Sequence, residues 1–82
     1  MEIGSIIFDL RKSKKLSQRQ LSEIIGVSED TIDKWEEDKE LPDIASLMTL
    51  SKYFGVTVDY ILKGEEKNKK SFILATAIKL AG

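Results

Sequence analysis

Apolar residues recur at helical spacing from near the start of the chain to about residue 64. Four of them in the first segment follow the spacing i, i+3, i+4 and i+7: Ile3, Ile6, Ile7 and Leu10. This stripe predicts an amphipathic helix from about Ile3 to Lys14. Phe8 lies off the stripe, so its ring is either a second packing contact or part of a surface for a partner.

Two short helices joined by a glycine are predicted next. Ser17 is an expected N-cap with Gln20 three residues on, which is the spacing of a capping box. Gly26 is expected to end this second helix, since glycine adopts the left-handed conformation of a helix C-cap, and Ser28 then caps the third. Apolar residues give each helix one inward side: Leu21, Ile24 and Ile25 in the second, Ile32 and Trp35 in the third. Because Trp35 falls on that side, it is expected in the core rather than as a stacking platform.

A polar connection, "EEDKELPD", precedes a fourth predicted helix, and Pro42 stands where proline is tolerated, at or just before a helix start. Gly55 and Gly64 are expected to end this helix and a short fifth one, for which Thr57 is the expected N-cap. The inward positions of these two helices are Ile44, Leu47, Leu50, Phe54, Val58, Ile61 and Leu62. The chain shows no strand-like alternation, so the prediction is an all-α fold with five helices in about 62 residues.

The composition changes after residue 64, where a charged linker, "EEKNKK", is followed by the apolar "SFILATAIKLAG". We therefore expect a helical domain in residues 1–64 and a tail in residues 65–82. The apolar part is shorter than the roughly 20 residues of a membrane-spanning helix. Three interpretations stay open: an extra C-terminal helix on the bundle or on a second subunit, the start of a longer segment that reaches a membrane, or disordered chain. The first is favoured because a dense apolar run is poorly solvated, and its contact residues would be Phe72, Ile73, Leu74 and Ile78.

The sequence contains neither cysteine nor histidine. It therefore lacks a disulfide framework, a thiolate zinc site, the commonest general base and any Ser-His-Asp triad. An enzyme is disfavoured, and no cofactor, metal or small-molecule substrate is expected. No signal peptide begins the chain and no apolar run has membrane-span length, so the expected location is cytoplasmic, without membrane contact within this chain.

The net charge of −1 conceals three blocks of local charge. Residues 11–19 contain five basic residues and no acidic one, whereas residues 29–43 contain eight acidic residues and two lysines. Residues 63–70 are basic again, with four lysines against two glutamates. The distribution of charge is thus more informative about partners than its sum.

A short helix, a glycine turn and a second helix within a helical bundle form a helix-turn-helix arrangement. The motifs "LSQ", "GVS", "TIDKWE", "LPD" and "FGVTVDYILKG" follow one another along the chain. On these motifs, from Ile3 to about Gly64, the chain resembles the lambda-repressor-like (Xre/Cro) helix-turn-helix family of bacterial and phage transcription regulators. The resemblance implies a five-helix bundle that binds double-stranded DNA through its third helix.

The resemblance also implies which residues contact DNA. Gln18, at the start of the second helix, corresponds to a contact with a phosphate or an adjoining base, and Lys39 to a position near the phosphates. The exposed positions of the third, recognition helix are Ser28, Glu29, Asp30, Thr31 and Lys34. The two acidic residues and the lysine among them are the expected base readers. Arg11 and Glu36 correspond to a salt bridge that ties the first helix to the third.

Physical chemistry supports part of this assignment and leaves part of it open. A lysine can donate to guanine O6 or N7, and a carboxylate can accept from cytosine N4. Charge for backbone contacts is available from three residues near the first turn: Arg11, Lys12 and Arg19. Glu29 and Asp30 are equally explained by the helix dipole, which favours acids in the first turn. Gln18 is otherwise only a polar residue at a helix start.

Some residues depart from the family pattern. Glu37 and Asp38 stand where the family typically has asparagine and glycine, and a carboxylate at Glu37 would repel a phosphate. Asp38 still suits the turn, since aspartate tolerates the left-handed region better than most residues. The family also often has arginine, glutamine or lysine at the positions of Glu29 and Asp30.

These features lead to one preferred hypothesis and one alternative. The preferred one is a sequence-specific regulator of transcription, a repressor that binds a near-palindromic operator as a homodimer. Its third helices would enter successive major grooves about 34–36 Å apart, and the dimer surface is expected at Tyr60 and Ile61 or in the tail. The alternative is a protein-interaction module whose acidic third helix docks on a basic partner or imitates the charge of DNA.

Overall fold

The computed structural model describes residues 3–63, and residues 1–2 and 64–82 lie outside its described part. The five predicted helices are confirmed: α1 Ile3–Ser13, α2 Gln18–Ile25, α3 Glu29–Glu36, α4 Ile44–Phe54 and α5 Val58–Lys63. No strand occurs within residues 3–63. The all-α prediction is therefore confirmed for this part of the chain.

The helix boundaries follow the capping residues that the sequence predicted. Ser17 and Gln20 form a reciprocal capping box, with the N–H of Gln20 3.0 Å from the Ser17 hydroxyl and the N–H of Ser17 2.8 Å from Gln20 Oε1. Gly26 and Gly55 end α2 and α4 in the left-handed conformation, with φ of 90° and 70°. Asp43, whose role as a cap was not predicted, caps α4 by accepting the N–H of Ser46 at 2.9 Å.

The core forms where all five helices meet, and each contributes one side chain with 0% exposure: Ile7, Leu21, Ile32, Leu50 and Ile61. Trp35 is 3% exposed and belongs to the same core, as predicted. Most of the apolar residues that recur at helical spacing in the sequence are thus at least partly buried.

Three positions predicted to face inward are exposed instead. Ile24, Ile44 and Leu62 are 40%, 67% and 40% exposed. Ile44 is the first residue of its helix, so it lies at the end of the stripe. Leu62 follows the fully buried Ile61, and one residue turns a helix by about 100°. The end of α1 was also predicted one residue too late, at Lys14 instead of Ser13.

The start of α1 packs directly on the backbone at the end of α3. A Cβ atom added at Gly4 would lie 2.5 Å from the carbonyl oxygen of Glu36 and 2.7 Å from that of Trp35, so only glycine fits at this crossing. The N–H of Gly4 donates to Oδ1 of Asp38 at 3.0 Å. Asp38 itself has a φ of 59°, which agrees with the left-handed turn expected at this position.

Some predictions fall outside the described residues. They are the helix end at Gly64, the domain boundary after it, and the packing of the apolar tail. Within residues 3–63, no helix is long and apolar enough to cross a membrane, and no group of three or more acidic residues is placed to hold a metal ion.

Candidate nucleic-acid interface

The N-terminal end of α3 is presented at the surface by the turn that follows α2. The hydroxyl oxygen of Ser28 accepts the N–H of Thr31 at 3.1 Å, and the two hydroxyl oxygens lie 2.8 Å apart. Both residues are predicted DNA contacts. Ser28 is the N-cap of α3, and its hydroxyl is hydrogen-bonded to that of Thr31.

The predicted base readers lie next to one another on the outer face of α3. Glu29 and Asp30 are exposed in its first turn, where their charge suits the helix dipole. Lys34 follows one turn later, with its Nζ 3.3 Å from Oδ2 of Asp30. The face thus presents a paired ammonium and carboxylate beside a second carboxylate.

A buried ion pair holds α3 against α1. Arg11 donates through Nε and Nη2 to the two carboxylate oxygens of Glu36 at 2.6 and 2.9 Å, and through Nη1 to the carbonyl of Leu16 at 2.8 Å. The side chains of Arg11 and Glu36 are only 9% and 6% exposed. The hydrogen bonds with Glu36 raise the pKa of Arg11. The guanidinium also lies 5.2 Å from the centre of the Phe8 ring, so Phe8 makes a second packing contact.

Gln18 extends this network from α2. Its amide nitrogen donates to Oδ1 of Asp33 at 3.2 Å and to Oε1 of Glu36 at 3.0 Å. The first residue of α2 is therefore connected to the inner side of α3, and through Glu36 to Arg11. Of the two alternatives for Arg11, a structural role or a phosphate contact, the structure favours the structural one.

An open cleft of about 610 Å³ lies between the end of α1 and the start of α2 and extends to the first residue of α3. Two of its lysines, Lys12 and Lys15, have no ion pair within residues 3–63, so their charges are available to a ligand. Lys15 has a φ of 58°, a conformation that is uncommon for a residue other than glycine. The residues that line the cleft are Arg11, Lys12, Lys15, Leu16, Ser17, Gln18, Gln20 and Glu29.

The cation that follows α3 has a different environment. Lys39 lies 3.0 Å from the carboxylate of Glu37, and this hydrogen bond raises the pKa of Lys39. Lys39 does not line the cleft. Arg19, which was expected to supply backbone charge, lies 3.6 Å from the carboxylate of Glu23 in an exposed pair.

The structure brings some of the predicted site residues together and separates others. Gln18 and Glu29 share the cleft, whereas Lys34 lies outside it on α3 and Lys39 lies beyond the C-terminal end of that helix. Lys15 was not among the predicted contacts, although it belongs to the basic run of residues 11–19. Asp33 was not predicted either, because its hydrogen bond with Gln18 spans 15 residues and has no local signal in the sequence.

Comparison with known proteins identifies the family of the chain. Residues 7–61 match the family model described as helix-turn-helix. The chain belongs to the lambda-repressor-like helix-turn-helix family.

Relatives of this helix-turn-helix chain include the transcriptional activator BcrR of Enterococcus faecalis, with 46% identity over 66 residues that cover 80% of this chain. The crystal structure of the repressor c2 of Salmonella phage P22 with a synthetic operator superposes with a TM-score of 0.73 and 36% identity, over 77% of this chain and 96% of that one. The N-terminal DNA-binding domain of SinR from Bacillus subtilis gives a TM-score of 0.70 and 31% identity, over 80% and 94% of the two chains. This chain spans 32% of BcrR and 29% of the P22 repressor, less than a third of either curated relative.

Proposed function

We propose that residues 3–63 form the sequence-specific DNA-binding domain of a transcription regulator, with α3 in the major groove. The observation that carries the proposal is the cleft in which two lysines without a carboxylate partner in residues 3–63 lie beside the N-terminal ends of α2 and α3. Helix N-termini and lysines both attract phosphates. The similar fold of the P22 repressor, which was crystallised with an operator, supports the same role.

The chemistry of α3 suits base edges of both kinds. Lys34 donates to guanine O6 or N7, whereas Glu29 and Asp30 accept from cytosine N4. Because Lys34 and Asp30 are already adjacent, Lys34 can donate to the guanine and Asp30 can accept from the cytosine of one G·C pair while their ion pair is kept.

Phosphate contacts are assigned to the α1–α2 turn rather than to the loop after α3. Lys12 and Lys15 bring their full charge to a phosphate, whereas Lys39 must first be separated from Glu37. Glu37 itself is exposed and repels the backbone. The acidic residues that depart from the family pattern therefore weaken one side of the interface and leave the other intact.

The regulator acts as a homodimer on a near-palindromic operator, with the two α3 helices about 34–36 Å apart. A dimer that occupies a promoter excludes other proteins from it, so repression requires no contact beyond DNA binding. The expected location is the cytoplasm, where such a regulator meets its DNA.

Selection of duplexes from a random pool, first at low salt and then at roughly physiological salt, tests the proposal. We expect enrichment of a two-fold-symmetric site at both, with weaker binding at the higher salt. Absence of enrichment from folded protein at either salt would contradict sequence-specific binding.

The assignment of phosphate contacts has a matched test in Lys15→Gln and Lys39→Gln. One lost phosphate contact lowers the slope of log affinity against log salt by about 0.9. We expect this change for Lys15→Gln and a smaller one for Lys39→Gln, because Glu37 already neutralises that lysine. Equal slopes for the two variants would refute the assignment.

Glu37→Asn should raise the affinity for DNA, because it removes repulsion of the phosphates and releases Lys39. Unchanged or lower affinity would show that Glu37 does not repel the DNA backbone.

The exposed carboxylates of α3 support a second candidate function, docking on a basic protein. Such a module would be indifferent to DNA and would depend on Glu29, Asp30 and Asp33. A DNA reader instead loses affinity for its selected site on Lys34→Ala, so the same binding assay separates the two functions.

A further inference from the structure

The side-chain amide of Gln18 is oriented by two carboxylates of α3. Nε2 lies 3.2 Å from Oδ1 of Asp33 and 3.0 Å from Oε1 of Glu36. An amide nitrogen has two hydrogens, and an ionised carboxylate only accepts hydrogen bonds. Each hydrogen therefore has its own acceptor, and the opposite orientation of the amide would place its oxygen against both carboxylates.

The second of these carboxylates cannot easily move away. Glu36 is held by two hydrogen bonds from Arg11 at 2.6 and 2.9 Å, and its side chain is 6% exposed. Asp33 is half-buried on the same helix, three residues earlier. Glu36 is thus fixed before any ligand arrives, and it holds the amide nitrogen of Gln18 on the side of α3.

The amide oxygen of Gln18 is the part of the side chain that remains for a ligand. Among residues 3–63, no hydrogen bond reaches it, and Gln18 lines the cleft that joins the starts of α2 and α3. An amide oxygen accepts hydrogen bonds and cannot donate one. Phosphate oxygens, guanine O6 and N7, and thymine O4 are acceptors too, so none of them is a partner for it.

We infer that Asp33 is a positioning residue that makes Gln18 a hydrogen-bond acceptor only, so that Gln18 selects an exocyclic amino group, adenine N6 or cytosine N4, on the nearest strand. The inference rests on the proposed function and goes beyond it. It decides between the two roles that the family resemblance implies for Gln18, in favour of a base and against a phosphate. It also adds a specificity residue, Asp33, that touches no DNA.

Two substitutions at one position separate orientation from charge. Asp33→Asn removes the charge but keeps an oxygen that accepts from Gln18. Asp33→Ala removes both, and frees one amide hydrogen of Gln18 to donate to guanine, thymine or a phosphate. Any effect of the negative charge on DNA affinity should be the same in both variants and uniform over all sequences, whereas an effect of orientation should occur in the alanine variant alone.

The experiment compares the base preferences of the wild-type protein and both variants in selection from the same random duplex pool. Gln18→Met locates the position in each half-site that Gln18 reads, as the position whose preference disappears. Folding is checked by thermal unfolding, and alanine within α3 is well tolerated since it is a strong helix former.

We expect adenine or cytosine at that position for the wild type and Asp33→Asn, and a preference relaxed by about 3- to 10-fold toward guanine and thymine for Asp33→Ala, the range of a single hydrogen bond. Replacing the selected adenine by purine, which lacks the amino group, should weaken wild-type binding by a similar factor and leave Gln18→Met unaffected. An unchanged base preference in Asp33→Ala, or a salt slope that falls in Gln18→Met as for a lost phosphate contact, would overturn the inference while the proposed function stands. Absence of any wild-type sequence preference would overturn both.

Discussion

Two turns of this small bundle have the same unusual backbone conformation and opposite charges. Lys15, between α1 and α2, has a φ of 58°, and Asp38, between α3 and α4, has a φ of 59°. Asp38 uses its side chain within the fold, where it accepts the N–H of Gly4. Lys15 has no carboxylate partner within residues 3–63 and lines an open cleft. The same left-handed conformation thus accompanies a hydrogen bond to α1 in the turn of Asp38 and an available cation in the turn of Lys15.

The two turns also differ in how their charges are compensated. The acidic turn neutralises its own lysine, since Lys39 is paired with Glu37. Lys15 in the basic turn and Lys12 at the end of α1 have no carboxylate partner among the described residues, and the Lys12 ammonium lies 5.8 Å from the centre of the Phe8 ring. From charge alone, a phosphate could bind near any of these lysines. Because only Lys39 of the three is paired with a carboxylate within residues 3–63, the α1–α2 turn is the favoured phosphate site.

The largest expected effect comes from breaking the ion pair that joins the two regions. Glu36→Ala leaves the guanidinium of Arg11 buried without a partner, which should lower the free energy of unfolding by about 3–5 kcal/mol. Urea denaturation measures the change. The adjacent Glu37→Ala is the control, because its carboxylate is exposed and its loss should cost no more than about 0.5 kcal/mol. Similar losses in both variants would show that burial of the pair does not matter.

The next prediction concerns the acidic turn. Asp38→Ala removes the acceptor for the N–H of Gly4 and places alanine in the left-handed region, so it should destabilise the protein by about 1–3 kcal/mol. Asp38→Asn keeps an acceptor oxygen and a side chain that tolerates this conformation, and should remain within about 0.5 kcal/mol of the wild type. If asparagine is as damaging as alanine in thermal unfolding, the charge of Asp38 is needed and the hydrogen-bond explanation fails.

A smaller effect of opposite sign is expected in the basic turn. Lys15→Gly relieves the left-handed strain, which should stabilise the protein by roughly 0.5 kcal/mol after the extra backbone entropy of glycine is subtracted. The same change should weaken DNA binding and lower the salt slope by about 0.9. Lys14→Gly is the matched control, since its φ is not positive and glycine there should not stabilise the fold. Unchanged or lower stability of Lys15→Gly would show that this conformation is not strained.

The smallest effect is a dependence of stability on pH that arises at the end of the acidic turn. The N–H of Ser46 donates to the Asp43 carboxylate and lowers its pKa below 3.8. The stabilisation is therefore complete above pH 3.8 and is lost as the pH falls through the lower, folded-state pKa. Asp43→Asn keeps an N-cap that does not titrate. The difference in unfolding free energy between wild type and variant should be constant near neutral pH and should change below about pH 4, and a constant difference down to pH 2 would refute this linkage.

Most of the fold followed from local features of the sequence. Helix periodicity and the caps at Ser17, Gly26, Ser28 and Gly55 depend on residues within about four positions of one another, so they can be recognised without a structure. The errors include Ile24 and Ile44, which lie on apolar stripes and yet are exposed; Ile44 is the first residue of α4, where its stripe ends. The helix-turn-helix that carries the candidate site was predictable through the family resemblance, whereas the DNA contacts assigned to its residues stay predictions.

The sequence by itself determined the five helices, the family and the separation of basic from acidic segments, because these are short-range properties of the chain. Only the tertiary structure decided which charges are free. The partners of Arg11, Gln18 and Asp38 are 25, 15 and 34 residues away, and they meet because α3 packs against both α1 and α2. That packing buries one ion pair, fixes the amide of Gln18 and leaves two lysines at the surface, and it follows from side-chain volumes in the core rather than from any local pattern.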